Sequence, residues 1–470
     1  MAKSIVLFHE DLRCGDHQPL TEANAIGEVI PVYILDSKDP NQLGGASKIW
    51  LHHALTDLNQ QLQKKICFLE GDPKKLLPEL MAKHQINNLF CHERFDPYGI
   101  ALQEALKQSI GFEKFHSFNG TLLWHPEEIH KSDGTPYRVF TPFYRKGCLQ
   151  FGPLPRQPLP HIIPDKLTLI EEGCHLDELS LKSKLPWGKE IIQYWDISEQ
   201  GAHNRLNTFI EHKLEGYKIQ RDFPSQGHTS KLSPFLKWGM ISVPTVWAQL
   251  NTLTNIPSKD LDHFKSELGW REFSYYLLHH FPKIIKENLN PNFDHFPWHE
   301  DDALLKAWQQ GQTGYPIVDA AMRQLYATGY MHNRLRMVVG SFLVKNLTLH
   351  WHHGQDWFWD CLFDADIANN SAGWQWIAGC GADAAPYFRI FNPILQSQKF
   401  DKDGAFIHQW VPELAELPAP HCFQPWLTPK DVLDQANVKL GENYPNPIID
   451  LTSSRDRALN AYSHLKSKKS

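Results

Sequence analysis

Prolines at 142, 153, 155, 158, 160 and 164 interrupt every regular period in one stretch of this 470-residue chain, so no helix or interior strand can run through it. The polypeptide must fold as one thing before that stretch and another after it, joined by an extended connector. Upstream, Ser4 to Phe8, Val29 to Leu35, Ile66 to Glu70 and Ile86 to Cys91 are short apolar runs of strand length. Between them, Ser47 to Gln63, Pro73 to His84 and Pro97 to Gln108 carry helical spacing. That alternation predicts a Rossmann-like parallel α/β sheet covered on both faces. Downstream, Gly201 to His212, Val243 to Leu250, Asp262 to His280, Ile317 to Thr328, Asn333 to Leu347 and Trp357 to Phe363 repeat apolar residues three and four apart, which predicts an all-α domain. The expected domains are 1–135 (α/β), 136–195 (connector) and 196–470 (helical).

The two halves also differ in chemistry, since thirteen of the 16 tryptophans lie beyond residue 190. A dinucleotide site of the usual kind would place GxGxxG after the first strand, where this chain has His-Glu-Asp-Leu-Arg-Cys-Gly, so a nicotinamide enzyme is not expected. No apolar run reaches membrane-spanning length, and the first twelve residues, MAKSIVLFHEDL, do not read as an export signal. A soluble, cytoplasmic monomer is the expectation. The eight cysteines form no CxxC pair, which suits free thiols. A net charge of −6 means that any binding of nucleic acid must rest on a local patch.

Four clusters in the helical half carry candidate chemistry. Tyr217 to Ser233 ends Gly-His-Thr-Ser-Lys-Leu-Ser-Pro, a concentration of hydroxyls and backbone donors before a helix that suits either a phosphate or a plain capping turn. In Glu267-Leu-Gly-Trp270-Arg271-Glu272, Glu267 and Arg271 stand one turn apart, as in an ordinary surface ion pair beside a core tryptophan. The third is Met331-His-Asn-Arg-Leu-Arg-Met337. The fourth, Asp364 to Trp376, holds Asp364, Asp366 and Asn370, with Trp374 and Trp376 on nearly opposite sides of a helix. An Asp-x-Asp pair can bind metal, but the arginines upstream make pairing of Asp364 with Arg336 the expected outcome, and no metal is expected. His350, His352 and His353 read as a solvated surface run, and Trp308 and Trp357 as core aromatics.

The order of Thr313 to Leu325, Met331 to Met337 and Trp374 to Pro393 resembles the photolyase/cryptochrome family, specifically its class I cyclobutane pyrimidine dimer photolyases, along essentially the whole chain. The resemblance implies a U-shaped FAD in the helical domain and light-driven electron transfer from its reduced form to a flipped-out dimer in DNA, which splits into two pyrimidines. By motif position, Tyr217, Thr229, Ser230, Lys231, Leu232 and Ser233 line the FAD phosphates. Arg271 and Asn333 lie further along the cofactor, and Arg336, Asp364 and Asp366 lie near the ring. Asn370 faces flavin N5, where plant-type cryptochromes carry Asp. Trp374, Trp351 and Trp298 match a three-tryptophan electron chain. Glu267, Trp270, Arg334, Met337 and Trp376 match the dimer pocket, Glu267 also stabilising the radical anion, while Arg221 and Arg389 meet the DNA backbone.

The segment from Phe8 to His17 departs from the family pattern. Asp96 stands where folate-binding relatives usually have Glu, and Ile285 replaces a Cys. A second, antenna chromophore is implied, with 5,10-methenyltetrahydrofolate preferred. The alternative is a cryptochrome-type blue-light signalling protein without repair activity. Asn370, Glu267, Trp270 and Met337 favour repair, as does the absence of a long tail after Asp450 to Leu465.

Overall fold

The computed structural model describes residues 2–384 and 389–467. It contains two compact units, Met1–Glu215 with Ser230–Pro282, and Gly216–Thr229 with Lys283–Ser470. In the first, β1 (Ala2–Phe8), β2 (Gly27–Asp36), β3 (Cys67–Gly71), β4 (Asn88–His92) and β5 (Phe115–Phe118) form one parallel sheet in the order β3-β2-β1-β4-β5. Ile5 sits between Ile30 and Leu89, and Val32 beside Cys67, so the apolar runs align across the sheet. Val29 to Ile34 are buried without alternation, the pattern of a strand covered on both faces.

The helices of this sheet are α1 (Gln18–Ile26), α2 (Gly45–Gln61), α3 (Pro73–Lys83) and α4 (Pro97–Ile110). Asp96 caps α4 by accepting from the Gly99 N–H at 2.8 Å, with Pro97 in the first turn where its missing N–H costs nothing. The same unit carries α5 (Glu199–His212), α6 (Val243–Asn251) and α7 (Ser258–His280). The expected strands and helices are present, apart from shifts of a few residues at their ends. The expected extended connector is corrected at its start, where residues 140–151 are helical through Pro142 and bury Phe140, Phe143 and Tyr144, because the prolines cluster only from Pro153 onward. Two further elements of this unit were not read from the sequence. α1 is short and capped by a histidine, His17, and β5 is only four residues long.

In the second unit the principal helices are α8 (Pro316–Thr328), α9 (Asn333–Ser341), α10 (Trp351–Cys361) and α11 (Ile367–Ala378). They enclose a core that includes Trp308, Leu335, Phe342, Trp351, Phe358 and Trp374. The helix expected from Asn333 to Leu347 ends at Ser341 and widens into a π-helical turn over Phe342–Asn346. The one expected from Trp357 begins six residues earlier, because the His350 side chain caps it by accepting from the His352 N–H at 3.2 Å.

Candidate functional site

In the second unit, α9 meets the loop before α11 through one charge pair. Arg336 Nη2 donates to both oxygens of Asp364, at 3.0 and 2.7 Å, and its Nε donates to the Met331 carbonyl at 2.9 Å. Its guanidinium also lies over the Tyr330 ring, and the Tyr330 hydroxyl meets Thr229 Oγ1 at 3.3 Å. Asp366 is buried and caps α11, accepting from the Asn369 backbone N–H and from Asn369 Nδ2, both at 2.7 Å. Each carboxylate of the Asp-x-Asp pair therefore has a hydrogen-bonding task of its own.

One turn into α11, Asn370 Nδ2 donates to the Gln355 carbonyl of α10 at 3.0 Å. A carbonyl can only accept, so this bond orients the amide and sets Oδ1 as the end that can accept a hydrogen bond. Gln355 is itself fixed, with Nε2 donating to Ser371 Oγ at 2.8 Å.

The three expected relay tryptophans differ in burial. Trp374 and Trp351 are buried, and Trp298 is partly exposed. Trp374 packs edge-on to Phe358, centroids 4.9 Å apart, and Gly354 leaves room for it, since a Cβ there would stand 2.1 Å from the indole. Trp351 Nε1 donates to Asn288 Oδ1 at 3.0 Å. Trp308 is a core aromatic, as expected, whereas Trp357 is only partly buried.

Arg334 pairs with Asp222 at 2.8 Å and lies over the Phe400 ring, so it is already engaged on its own surface. Arg221 lies over Tyr217. His332 caps α9 through the Arg334 N–H, and burial pushes its imidazole down to about 4. Met337 and Trp376 are half-buried, while Asn333 and Arg389 are exposed. Ala385 to Phe388, inside the third recognised motif, lie outside the described residues. The histidine run is not the solvated stretch expected: His350, His352 and His353 are each half-buried, and His352 Nε2 contacts the Lys286 carbonyl at 3.0 Å.

In the first unit, Ser230 Oγ accepts from the Leu232 N–H at 3.3 Å, and Lys231 holds a left-handed φ of 52° before the turn of helix Ser233–Lys237. Burial, together with Arg205 and Lys213 nearby, pushes the Lys231 amine below its usual range. A partly buried lysine with two further cations nearby, next in sequence to the Ser230 hydroxyl, is a set of donors that suits an anionic phosphate, so the residues fit a nucleotide phosphate. On α7, Trp270 stacks on Phe140 at 3.8 Å between centroids, so that partner already covers one face of its ring. Glu267 lies 3.9 Å from His263. Arg271 donates to the Thr121 carbonyl at 2.8 Å and stands 3.5 Å from Glu272. The sequence reading gave Glu272 no role, yet it is buried and accepts from the Leu123 and Trp124 N–H groups at 2.9 and 3.3 Å. Desolvation pushes its carboxyl up to about 7. Its position beside Arg271 was the available signal.

Among the described residues, two groups bring three ligand-type side chains within 4.8 Å of one another. In Asp11, His17 and His92, His17 Nδ1 accepts from the Leu20 N–H, so Nε2 carries the proton and donates it to Asp11 at 3.0 Å. In that tautomer the Nε2 facing Asp11 offers a metal no lone pair, and the Nδ1 lone pair is engaged by the Leu20 N–H. In Cys14, His161 and Glu199, the carboxylate accepts the Cys14 and Gly15 N–H groups, both at 2.8 Å, and burial pushes the thiol up. Asp96, the expected antenna position, is committed to Arg94 at 2.9 Å as well as to its cap.

Comparison with known proteins places these features in a wider set. The family described as DNA photolyase matches residues 4–164, and the FAD binding domain of DNA photolyase matches residues 264–464. A deoxyribodipyrimidine photo-lyase of Agrobacterium fabrum is 44% identical, the match covering 99% of this chain and 98% of that one. A solved bacterial class III photolyase from Agrobacterium tumefaciens superposes with a TM-score of 0.94 at 43% identity, covering 99% of this chain and 98% of that one. An archaeal photolyase from Sulfolobus tokodaii, solved with two FAD molecules that imply a novel light-harvesting cofactor, gives 0.83 at 27% identity, covering 98% and 100%.

Proposed function

Because this chain belongs to the photolyase/cryptochrome family, we propose that it is a light-driven deoxyribodipyrimidine photo-lyase, which splits cyclobutane pyrimidine dimers in DNA with reduced FAD. Within the family we assign it to the class III type, not the class I type that its motifs suggest. The likeness to a solved class III enzyme over nearly the whole of both chains supports that assignment. We read residues 1–135 as the antenna-chromophore domain, 136–195 as connector and 196–470 as the FAD and repair domain. The second chromophore is proposed to be 5,10-methenyltetrahydrofolate, and the free thiols suit a cytoplasmic setting.

When bound, reduced FAD supplies the electron that opens the cyclobutane ring under light and receives it back. The observation that carries the reading is the orientation of Asn370. One of its amide N–H groups donates to the Gln355 carbonyl and so fixes the amide, with Oδ1 as the end that would accept from a protonated flavin N5, the state that repair requires. Arg336, neutralised by Asp364, sets a fixed dipole near the ring without adding net charge, and Asp366 holds the start of α11 in place. By motif position, Asn333, Tyr217, Thr229, Ser230, Lys231, Leu232, Ser233 and Arg271 are assigned to the same cofactor. On the substrate side, Arg334 would exchange Asp222 for a DNA phosphate, Arg221 and Arg389 would add to that grip, and Met337 and Trp376 would meet the dimer. Glu267 and Trp270 are assigned to it by motif position, Trp270 through the ring face that Phe140 leaves open.

The test is photorepair of a thymine-dimer oligonucleotide by the chemically reduced protein under blue light, with a dark control. Light-dependent restoration of thymine is expected. Bound FAD with no repair would transfer the reading to a cryptochrome-type sensor.

A further inference from the structure

Trp351 is anchored by a hydrogen bond and Trp298 is not. The Trp351 indole donates to Asn288 and packs on His352, centroids 4.1 Å apart. Trp298 Nε1 is buried with no hydrogen bond, so apolar packing alone places the ring. It packs against the edge of the buried core, and two rings stand against it: Phe296 at 4.4 Å, and His350 at 5.1 Å and 68°. His350 also touches Trp351, with centroids 5.6 Å apart and planes 28° from parallel. It is a ring in contact with both tryptophans, and it caps α10, the helix that begins at Trp351.

We propose that His350 is a positioning residue for photoreduction of the flavin, its ring holding Trp298 in register with Trp351 for the outer electron transfer. The proposal rests on reading Trp374, Trp351 and Trp298 as the electron chain. In the step concerned, Trp298 gives one electron to one-electron-oxidised Trp351 and restores it, and an external thiol then re-reduces the oxidised Trp298. A cationic neighbour would oppose positive charge on either indole, and the cap prevents one. His350 Nδ1 accepts the His352 N–H, so a second ring proton would break that bond. Burial, with His352 and His353 adding to it and Asp294 opposing, pushes the imidazole down to about 4.

Two substitutions in the full-length, FAD-loaded protein separate the ring from the cap. His350→Asn keeps a cap acceptor and removes the ring, whereas His350→Phe keeps a ring and removes the acceptor. In transient absorption, His350→Asn should lose the long-lived Trp298 radical, and its photoreduction should fall to the level of Trp298→Phe. His350→Phe should retain both while melting at a lower temperature. Acrylamide quenching of Trp298 emission, taken as the difference between each variant and its Trp298→Phe counterpart, gives a readout independent of electron transfer. It should rise in His350→Asn alone. Normal photoreduction in His350→Asn with a defect in His350→Phe would overturn the proposal and leave His350 a cap. Normal photoreduction in Trp351→Phe would instead overturn the electron-chain reading itself.

Discussion

Asn370 gives its donor to the Gln355 carbonyl 3.0 Å away, and that fixes what another side chain could do there. In Asn370→Asp an ionised carboxylate would set an oxygen against that carbonyl with no proton between them, a repulsive contact that costs about 1–3 kcal/mol for the unsatisfied pair. The introduced acid escapes by taking up a proton, so its titration should move upward. Repair by this variant should fall below wild type at pH 8 and recover partly toward pH 6, where the protonated acid can again donate to Gln355. Repair equal to wild type across that range would sink the N5 assignment. The sequence shows that an amide stands at this position. It cannot show which end of the amide is free, because the partner is a main-chain carbonyl of another helix. Arg336 with Asp364 was legible, since two charges of opposite sign in neighbouring apolar segments have few other ways to be buried. Arg334 was not, because its partner Asp222 lies more than a hundred residues away in sequence.

At the scale of elements, α10 shows how a helix can be placed correctly and started wrongly. Its apolar spacing from Trp357 was visible, but its true first turn is Trp-His-His-Gly, which has no helical stripe and begins after an unusual cap, His350. Within that first turn Gly354 carries a cost in helix propensity that the packing explains. Replacing it with alanine would gain roughly 1 kcal/mol of intrinsic helix preference. The added Cβ would stand 2.1 Å from the Trp374 indole, and forcing that core ring aside costs about 1–3 kcal/mol. The clash is with a fully packed ring that cannot swing into solvent, so the second effect wins. Gly354→Ala should be destabilised in urea unfolding and should photoreduce its flavin more slowly. A variant more stable than wild type would mean that the indole has room to yield.

At the scale of the whole molecule, the proline run and the change of period made the α/β and helical halves legible, because each period records which faces are buried. What the pattern left out is that residues 230–282, helical by period, pack with the α/β half in one compact unit. Glu272 ties two parts of that unit together, since α7 holds the Leu123 and Trp124 backbone through its carboxyl. Its carboxyl is raised from 4.5 to about 7, so the folded protein binds this proton more tightly than the unfolded chain does. The associated stability is fully present below about pH 4.5 and is lost as pH rises through 7. The shift corresponds to on the order of 3 kcal/mol between those limits. Glu272→Gln keeps an acceptor for the two N–H groups and removes the charge. The difference in unfolding free energy between variant and wild type, measured in urea at pH 5, 6, 7 and 8, should therefore grow in the variant's favour with pH. Taking the difference cancels the other buried groups that titrate in both proteins. Parallel curves would mean that Arg271, 3.5 Å away, keeps Glu272 ionised throughout, and that the pair is held as a buried salt bridge.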